Sequence, residues 1–390
     1  MYKVQTLNNI AKIGLEQLPT QQYEIASEIT NPEAILVRSQ VMHEMSFNKE
    51  LLVVGRAGAG TNNIPIASLT EMGIPVLNTP GANANAVKEL VIAGMLLVAR
   101  NIHTAWQYVQ GLEGDDESLH HEVEKNKKRF SGFELRGKTL GVIGMGKIGV
   151  KVANAAIALG MKVIGFDPSI TTSNAWQVSS SVEQAYTIES LLSAADFVSI
   201  HVPLVEATKN LLNAARLSLL QPNAVLLNFA RDGIVDNQAL QAALEAKKVF
   251  AYVSDFPNNA LKGLANVVQL PHLGASTVEA EDNCARMIAR QVRDYLENGN
   301  IQNSVNFPET FMPRSEGAHR IAIVNRNVPD MVAQISKILS KAELNIVDLL
   351  NKSRNAIAYS LIDVNTQVSD TVLAELVAIE GVLKVRRIAH

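Results

Sequence analysis

The 390-residue chain predicts an α/β protein with two doubly wound parallel-sheet domains and a small C-terminal βαββαβ module. Three observations predict this. Short apolar runs alternate with helical stretches up to about residue 274, the signature of parallel strands buried on both faces. The turn Gly141-Val-Ile-Gly144-Met-Gly146-Lys-Ile-Gly149 joins one such run to a helix. From residue 319 the order of elements changes, and four strand-like and two helical segments follow.

Ala34–Val37, Leu51–Val54 and Pro75–Leu77 read as buried strands, and Lys88–Arg100 as a largely buried helix. Gly111–Lys128 is polar and charged, a solvated connector with helical tendency. Thr139–Ile143 is a strand, Val150–Leu159 an alanine-rich helix, and Lys162–Phe166 a strand ending on Asp167. Phe197–His201, Ala224–Asn228 and Val267–Leu270 are later strands, and Glu279–Leu296 is a long amphipathic helix. Pro308–Pro313 reads as a linker. Arg320–Val324 opens the last module, and Pro329 sits at a favourable helix start before Met331–Leu339. Ile346–Leu350 and Ala356–Val364 flank a turn at Ser353-Arg354-Asn355. Ser369 caps a helix running to Glu380, and Val382–Ile388 closes the ferredoxin-like unit. So small a core is expected to lean on a partner copy.

Composition narrows the function. With 47% apolar residues, 19% charged residues and a net charge of -3, the chain shows no basic surface for nucleic acid. Its single cysteine, Cys284, excludes a disulfide framework and reads as a small buried side chain on a helix. The N-terminus has no signal-peptide pattern, and the apolar run Leu90–Ala99 is too short to span a membrane, so a cytoplasmic protein is expected. No His/Cys/Asp cluster has metal-ligand spacing, so no metal is expected.

Strand, G-x-G-x-x-G, helix, strand and acidic stop together form the dinucleotide-binding (Rossmann-like) unit, with NAD as its cofactor. Gly144 permits the tight turn, Gly146 lets the backbone approach a pyrophosphate, and Gly149 lets helix and strand pack closely. A glycine turn that serves packing alone is the alternative. Asp167 is placed to accept from ribose hydroxyls and to repel a 2′-phosphate. Arg231, after the strand ending at Asn228, could grip a carboxylate or merely face solvent. His272 follows the last strand of this region and suits proton transfer, although lone histidines are more often structural. Gly55-Arg-Ala-Gly58-Ala-Gly60 could form an anion-binding nest or a plain turn.

Motifs spanning nearly the whole chain carry a resemblance: Gly55–Gly60, Asn78-Thr-Pro-Gly81, the glycine fingerprint, His201-Val-Pro-Leu204, Asn228–Asp236, Pro271–Thr277 and Asn303-Ser-Val-Asn306. The chain resembles the D-isomer-specific 2-hydroxyacid dehydrogenases, most closely the short 3-phosphoglycerate dehydrogenases with a C-terminal ACT domain. The resemblance implies a discontinuous substrate domain (1–100 and 276–307), an NAD domain (101–275) that makes the main dimer contact, a linker (308–318) and an ACT-like regulatory domain (319–390). It implies that His272 is the acid/base and that Arg231 holds the substrate carboxylate, with Arg56, Arg38 and the backbone of Ala57 and Gly58 in the substrate site. Cofactor contacts would come from Gly144, Met145, Gly146, Lys147, Ile148, Gly149, Asp167, Pro168, His201, Val202, Pro203, Thr208, Ala230 and Gly274. Arg38, Arg56 and Lys127-Lys128-Arg129 are candidates for a substrate phosphate.

Asn327 and Asn345 match effector-contacting asparagines, which implies serine as an effector and a dimer or tetramer. The implied activity is oxidation of 3-phosphoglycerate with NAD, the entry to serine. Another D-2-hydroxyacid dehydrogenase, such as a glycerate or hydroxypyruvate reductase, and a nicotinamide-sensing protein with little turnover are the alternatives. Three departures stand out. Asn259 occupies the place of the family's histidine-pairing glutamate, leaving Asp255 as the candidate replacement. Asp232 stands where many relatives have glycine. Asn325 and Asp330 stand where serine-binding relatives often have histidine and glycine.

Overall fold

A computed structural model describes residues 1–264 and 266–388. They fall into two compact units, Met1–Asn83 with Val278–His390, and Ala84–Thr277. Five helices organise the packing: α1 (Ala84–Ala99), α2 (Lys147–Ala158), α3 (Val278–Asn298), α4 (Met331–Lys341) and α5 (Asp370–Val377). The first boundary lies at residue 83 rather than 100. The reason is that α1 buries Val87, Val91, Met95 and Val98 against Leu227, Phe229 and Val253 of the second unit.

In the first unit β1 (Tyr2–Leu7), β2 (Tyr23–Ala26), β3 (Ala34–Val37), β4 (Val53–Arg56) and β5 (Val76–Leu77) form a parallel sheet in the order β2-β1-β3-β4-β5. The wholly apolar β3 is buried at every position. Helix α3 covers this sheet with Cys284, Ala285, Ile288, Ala289 and Val292. The cysteine is thus the buried apolar filler that its context suggests.

The second unit holds seven parallel strands: β6 (Thr139–Ile143), β7 (Lys162–Phe166), β8 (Val182–Gln184), β9 (Phe197–Ile200), β10 (Ala224–Asn228), β11 (Val249–Ser254) and β12 (Val267–Gln269). Their order, β12-β11-β10-β9-β6-β7-β8, reverses direction at β6. The loop after β6 therefore lies at the topological switch point, where open α/β sheets bind ligands.

The C-terminal strands β13 (His319–Arg326), β14 (Ile346–Arg354), β15 (Ile357–Val364) and β16 (Val382–Ile388) form an antiparallel sheet in the order β14-β15-β13-β16. With α4 and α5 they give the expected βαββαβ order, and Ser369 caps α5 by accepting from the Val372 N–H. Pro329 does not start a helix: Asp330 precedes α4 at φ 70° and makes no side-chain cap. β14 runs on to Arg354, so the turn narrows to Asn355 at φ 53°.

This module packs on the end of α3. Arg386 Nη1 and Nη2 donate to the carbonyls of Leu296 (3.0 Å) and Tyr295 (2.6 Å), and its guanidinium lies 4.6 Å from the Tyr295 ring centre. Tyr359 Oη donates to the Gly299 carbonyl at 2.7 Å. Cationic donors are well placed at a helix C-terminus, whose last carbonyls have no partner within the helix. The intervening chain is pinned as well: Ile301 and Thr310 exchange backbone hydrogen bonds, and Phe307, Thr310 and Met312 are buried.

Arg320 is the largest fully buried side chain, at 0% exposure. Nε and Nη2 donate to Asp363 at 2.6 and 2.8 Å, Nη1 to the Asn298 and Met312 carbonyls, and Nη2 to the Pro313 carbonyl. All five donors of the fork are therefore satisfied. Burial alone would raise the Asp363 carboxyl, but the hydrogen bonds from Arg320 and the Ser315 N–H hold it below its ordinary value. Asp363→Ala leaves a buried cation unpaired and is expected to cost about 3–5 kcal/mol, read by denaturant unfolding at neutral pH. A loss under about 1 kcal/mol would mean that the guanidinium finds other partners. Because the folded pKa is depressed, the pair's stabilisation is present above the ordinary carboxylate range and is lost as pH falls through the folded value.

Candidate active site

The three glycines after β6 do different work. Gly144 has φ 94°, and a Cβ there would stand 2.7 Å from the His201 carbonyl oxygen. A Cβ on Gly149 would collide with the Gly144 carbonyl oxygen, so helix and turn touch backbone to backbone. A Cβ on Gly146 would meet nothing within 4 Å. Gly146 starts α2 without a side-chain cap, so the helix N-terminus faces open space. A space that a Cβ would enter, in front of an uncapped helix N-terminus, fits a pyrophosphate.

Asp167 ends β7 and holds this turn. Its Oδ2 accepts from the Met145 N–H at 2.9 Å and its Oδ1 from the Ser169 N–H at 2.8 Å. Met145 offers only backbone, since its side chain is buried against Gly165, and Ile148 packs on the neighbouring core. Lys147 and Pro168 lie in the same turn region, at the start of α2 and after Asp167. His201 follows β9. One ring nitrogen, Nε2, lies 2.8 Å from Ser199 Oγ, and burial pulls the imidazole down to about 3, so it is neutral at physiological pH. Val202 and Pro203 continue from it, and Thr208 Oγ1 fastens this loop to the Pro203 carbonyl and the Val205 N–H.

Arg231 and His272 follow β10 and β12, two strands apart on the same sheet edge. Arg231 is exposed, and its Nη1 donates to the Ala230 carbonyl at 2.7 Å. The turn beneath it is built by Asn228, whose Nδ2 donates to the Arg231 carbonyl (2.9 Å) and whose Oδ1 accepts from the Ala230 N–H (3.2 Å). His272 packs its ring against Phe256 with 4.8 Å between ring centres. Asp255, 1% exposed, accepts from the Gly274 N–H at 2.9 Å and so braces the His272-Leu273-Gly274 turn. Its other oxygen is buried without a partner among the described residues. Burial raises the Asp255 carboxyl, opposed by the Gly274 N–H and by His272. Asn259 is exposed and offers its backbone carbonyl to Lys262.

In the first unit, Arg56 ends β4 and reaches back over Gly58. Within the Gly55–Gly60 segment, read as either a nest or a plain turn, two N–H groups are engaged: Ala57 donates to the Val37 carbonyl and Gly58 to the Arg56 carbonyl. Continuing the β3–β4 pairing consumes the first of them. Arg38 is engaged by Glu281 at 2.6 Å. Lys127 pairs with Glu124, and Arg129 lies over Tyr108 and Phe130.

A cavity of about 270 Å³ lies beside α4, lined by Asn325, Asn327, Asp330 and Asn351 among others. Three asparagines spend Nδ2 on protein: Asn325 on the Arg326 carbonyl, Asn327 on the Asn355 carbonyl and Asn351 on Ser360 Oγ. Their amide oxygens are left as acceptors. Asn345 lies elsewhere, exchanging hydrogen bonds with Asn365. Asn325 was marked by the resemblance, whereas Asn351 was not legible as a cavity residue, because it becomes one only when the sheet forms.

The family model for the D-isomer specific 2-hydroxyacid dehydrogenase NAD binding domain matches residues 92–274. A D-3-phosphoglycerate dehydrogenase of Haemophilus influenzae is 35% identical over 350 residues, covering 86% of this chain and 81% of the relative. The chain belongs to the D-isomer-specific 2-hydroxyacid dehydrogenase family. It is an enzyme of the NAD-dependent dehydrogenase type. A D-3-phosphoglycerate dehydrogenase of Methanocaldococcus jannaschii is 38% identical over 294 residues, covering 73% of this chain and 54% of that longer relative. The solved NAD-bound 3-phosphoglycerate dehydrogenase of Entamoeba histolytica is similar with a TM-score of 0.60 and 26% identity, over 80% of this chain and 99% of that one. Among the described residues no group of His, Cys, Asp and Glu could hold a metal, and no helix is long and apolar enough to cross a membrane.

Substitutions at the second and third glycines separate binding from folding. Gly146→Ala has room and an ordinary φ of -74°, so it should fold normally yet weaken NAD at least about tenfold, roughly 1.4 kcal/mol. Gly149→Ala should instead lower the melting temperature. Fluorescence titration with NADH and calorimetry distinguish them, and unchanged affinity in Gly146→Ala would mean that the cofactor does not approach this backbone.

Proposed function

We propose that this enzyme oxidises 3-phosphoglycerate to 3-phosphohydroxypyruvate with NAD, the entry step to serine. The braced His272 turn carries the reading: a buried carboxylate holds the backbone, and an aromatic ring packs beside the imidazole. His272 would take the proton of the substrate hydroxyl as general base. Bound NAD would accept the hydride from the same carbon. Arg231 would turn its fork from the Ala230 carbonyl to the substrate carboxylate and steady the forming carbonyl. The names of the relatives at 35% and 38% identity support the phosphorylated substrate. Arg38, engaged by Glu281, and Arg56 remain the candidates for its phosphate that the resemblance implies.

We read the C-terminal module as an ACT-like sensor for a small amino acid in a homo-oligomer. The asparagine oxygens suit an ammonium group, and the uncapped start of α4 suits a carboxylate. Asp330 works against the carboxylate, so affinity for serine should be modest.

One assay tests the substrate and the cofactor: NADH fluorescence with 3-phosphoglycerate should far exceed that with glycerate, and NAD should be preferred to NADP. The reverse reaction with hydroxypyruvate should be slower than with its phosphorylated form. Equal efficiency with plain and phosphorylated acids would remove the phosphate from the reading, and inhibition of the same assay by millimolar serine would support the sensor.

The acid/base assignment has its own test. His272→Asn should cut turnover by about 10²–10⁴-fold with NAD affinity unchanged. Asp255→Asn should harm turnover more than Asn259→Asp. A neighbouring anion favours imidazolium, so removing it should also move the acidic limb of the pH–rate profile downward. An Asp255→Asn enzyme with wild-type turnover and an unchanged limb would show that the histidine works without this carboxylate.

A further inference from the structure

We infer that Tyr252 is a positioning residue, its buried hydroxyl tying the turn that carries Arg231 to the strand end that leads to His272. This rests on the roles given above to Arg231 and His272. Tyr252 lies in the central part of β11 and is 3% exposed. A tyrosine there must find a partner for its hydroxyl, since an unpaired one is costly in a dry interior. Asn228 Nδ2 donates to Tyr252 Oη at 3.3 Å. Ser254, two residues on along β11, also interacts with this hydroxyl. Asn228 and Ser254 are register partners on β10 and β11, 1% and 0% exposed, so the hydroxyl is sealed at the carboxyl ends of both strands.

Each neighbour passes the constraint to one reacting side chain. Asn228 uses its whole amide: Nδ2 donates to Tyr252 and to the Arg231 carbonyl, and Oδ1 accepts from the Ala230 N–H. With both donors and the acceptor committed, the amide plane has one orientation, and the turn bearing Arg231 has one shape. Ser254 Oγ accepts from the Phe256 N–H at 3.0 Å and so sets the turn after β11. In that turn Asp255 holds the Gly274 N–H and the Phe256 ring packs, tilted by 51°, against His272. Arg231 and His272 share no direct contact described in the structure, and the buried group Asn228–Tyr252–Ser254 adds a side-chain link between their turns to the β10–β11–β12 ladder. Misplacement of a reacting group by about 1 Å can cost up to about 10²-fold in rate, which makes such a tie worth a buried hydroxyl.

Tyr252→Phe keeps the ring and removes only the tie. Hydrogen exchange of the unliganded enzyme tests it without reference to catalysis. Exchange across residues 228–233 and 254–257 should become about tenfold faster, with β6 and α2 unchanged, because buried hydrogen bonds set local opening. Kinetics below the melting temperature should show KM for the hydroxy acid raised more than kcat falls, with NAD affinity unchanged, a split that general loss of stability does not produce. Ser254→Ala should loosen 254–257 and affect kcat more than KM, separating the two arms. Exchange and kinetic constants within about twofold of wild type in Tyr252→Phe would overturn the inference. Wild-type enzyme that exchanges as described but turns over no 2-hydroxy acid would overturn the functional reading and leave the tie standing.

Discussion

The site in the second unit depends on one close approach: backbone meets backbone where α2 starts beside the end of β6. No side chain fits between Gly149 and the Gly144 carbonyl, and Gly144 must take a positive φ. Those two conditions bring the helix N-terminus to the switch point of the sheet. Asp167 then locks the turn by accepting from Met145 and Ser169, so the carboxylate has a structural duty besides any duty toward a ribose. The turn is thus preorganised by backbone contacts and one carboxylate, which keeps it rigid at little side-chain entropy.

The same accounting of polar groups explains the rest of the molecule. Arg320 is buried with every N–H paired, and three of its acceptors are main-chain carbonyls that lie outside its own strand. Arg386 and Tyr359 treat the end of α3 in the same way. A module held by charge-assisted hydrogen bonds to a helix terminus moves with that helix. Any ligand of the α4 cavity would therefore act on a body that includes α3 and the first sheet, rather than on a tethered bead.

In the second unit two groups at the proposed reaction centre keep polar capacity that the described residues do not use. Asp255 keeps one buried oxygen without a partner among the described residues, next to His272. The Arg231 fork is exposed and held only by its own neighbouring carbonyl. Both groups lie at the carboxyl-end edge of the sheet, where open α/β sheets bind ligands.

Local chemistry made much of this legible from the residues alone. The glycine fingerprint, Asp167, the Ser369 cap and the fully apolar strands each rest on neighbours within a few residues or on one βαβ unit, and all were readable. The strands β1 and β2 were not, because half-buried mixed sequences such as Tyr2–Leu7 carry no apolar run. At Ala57 and Gly58 the choice between a nest and a plain turn was open in the sequence, and the structure spends one N–H on continued sheet pairing and the other on a local turn. The partnership of Arg320 with Asp363 spans 43 residues, and that of Asn228 with Tyr252 spans 24. Neither leaves a trace in composition or period. A backbone preference is a property of a short segment, whereas the partner of a buried polar group is decided by which strands become neighbours, and only the folded chain decides that.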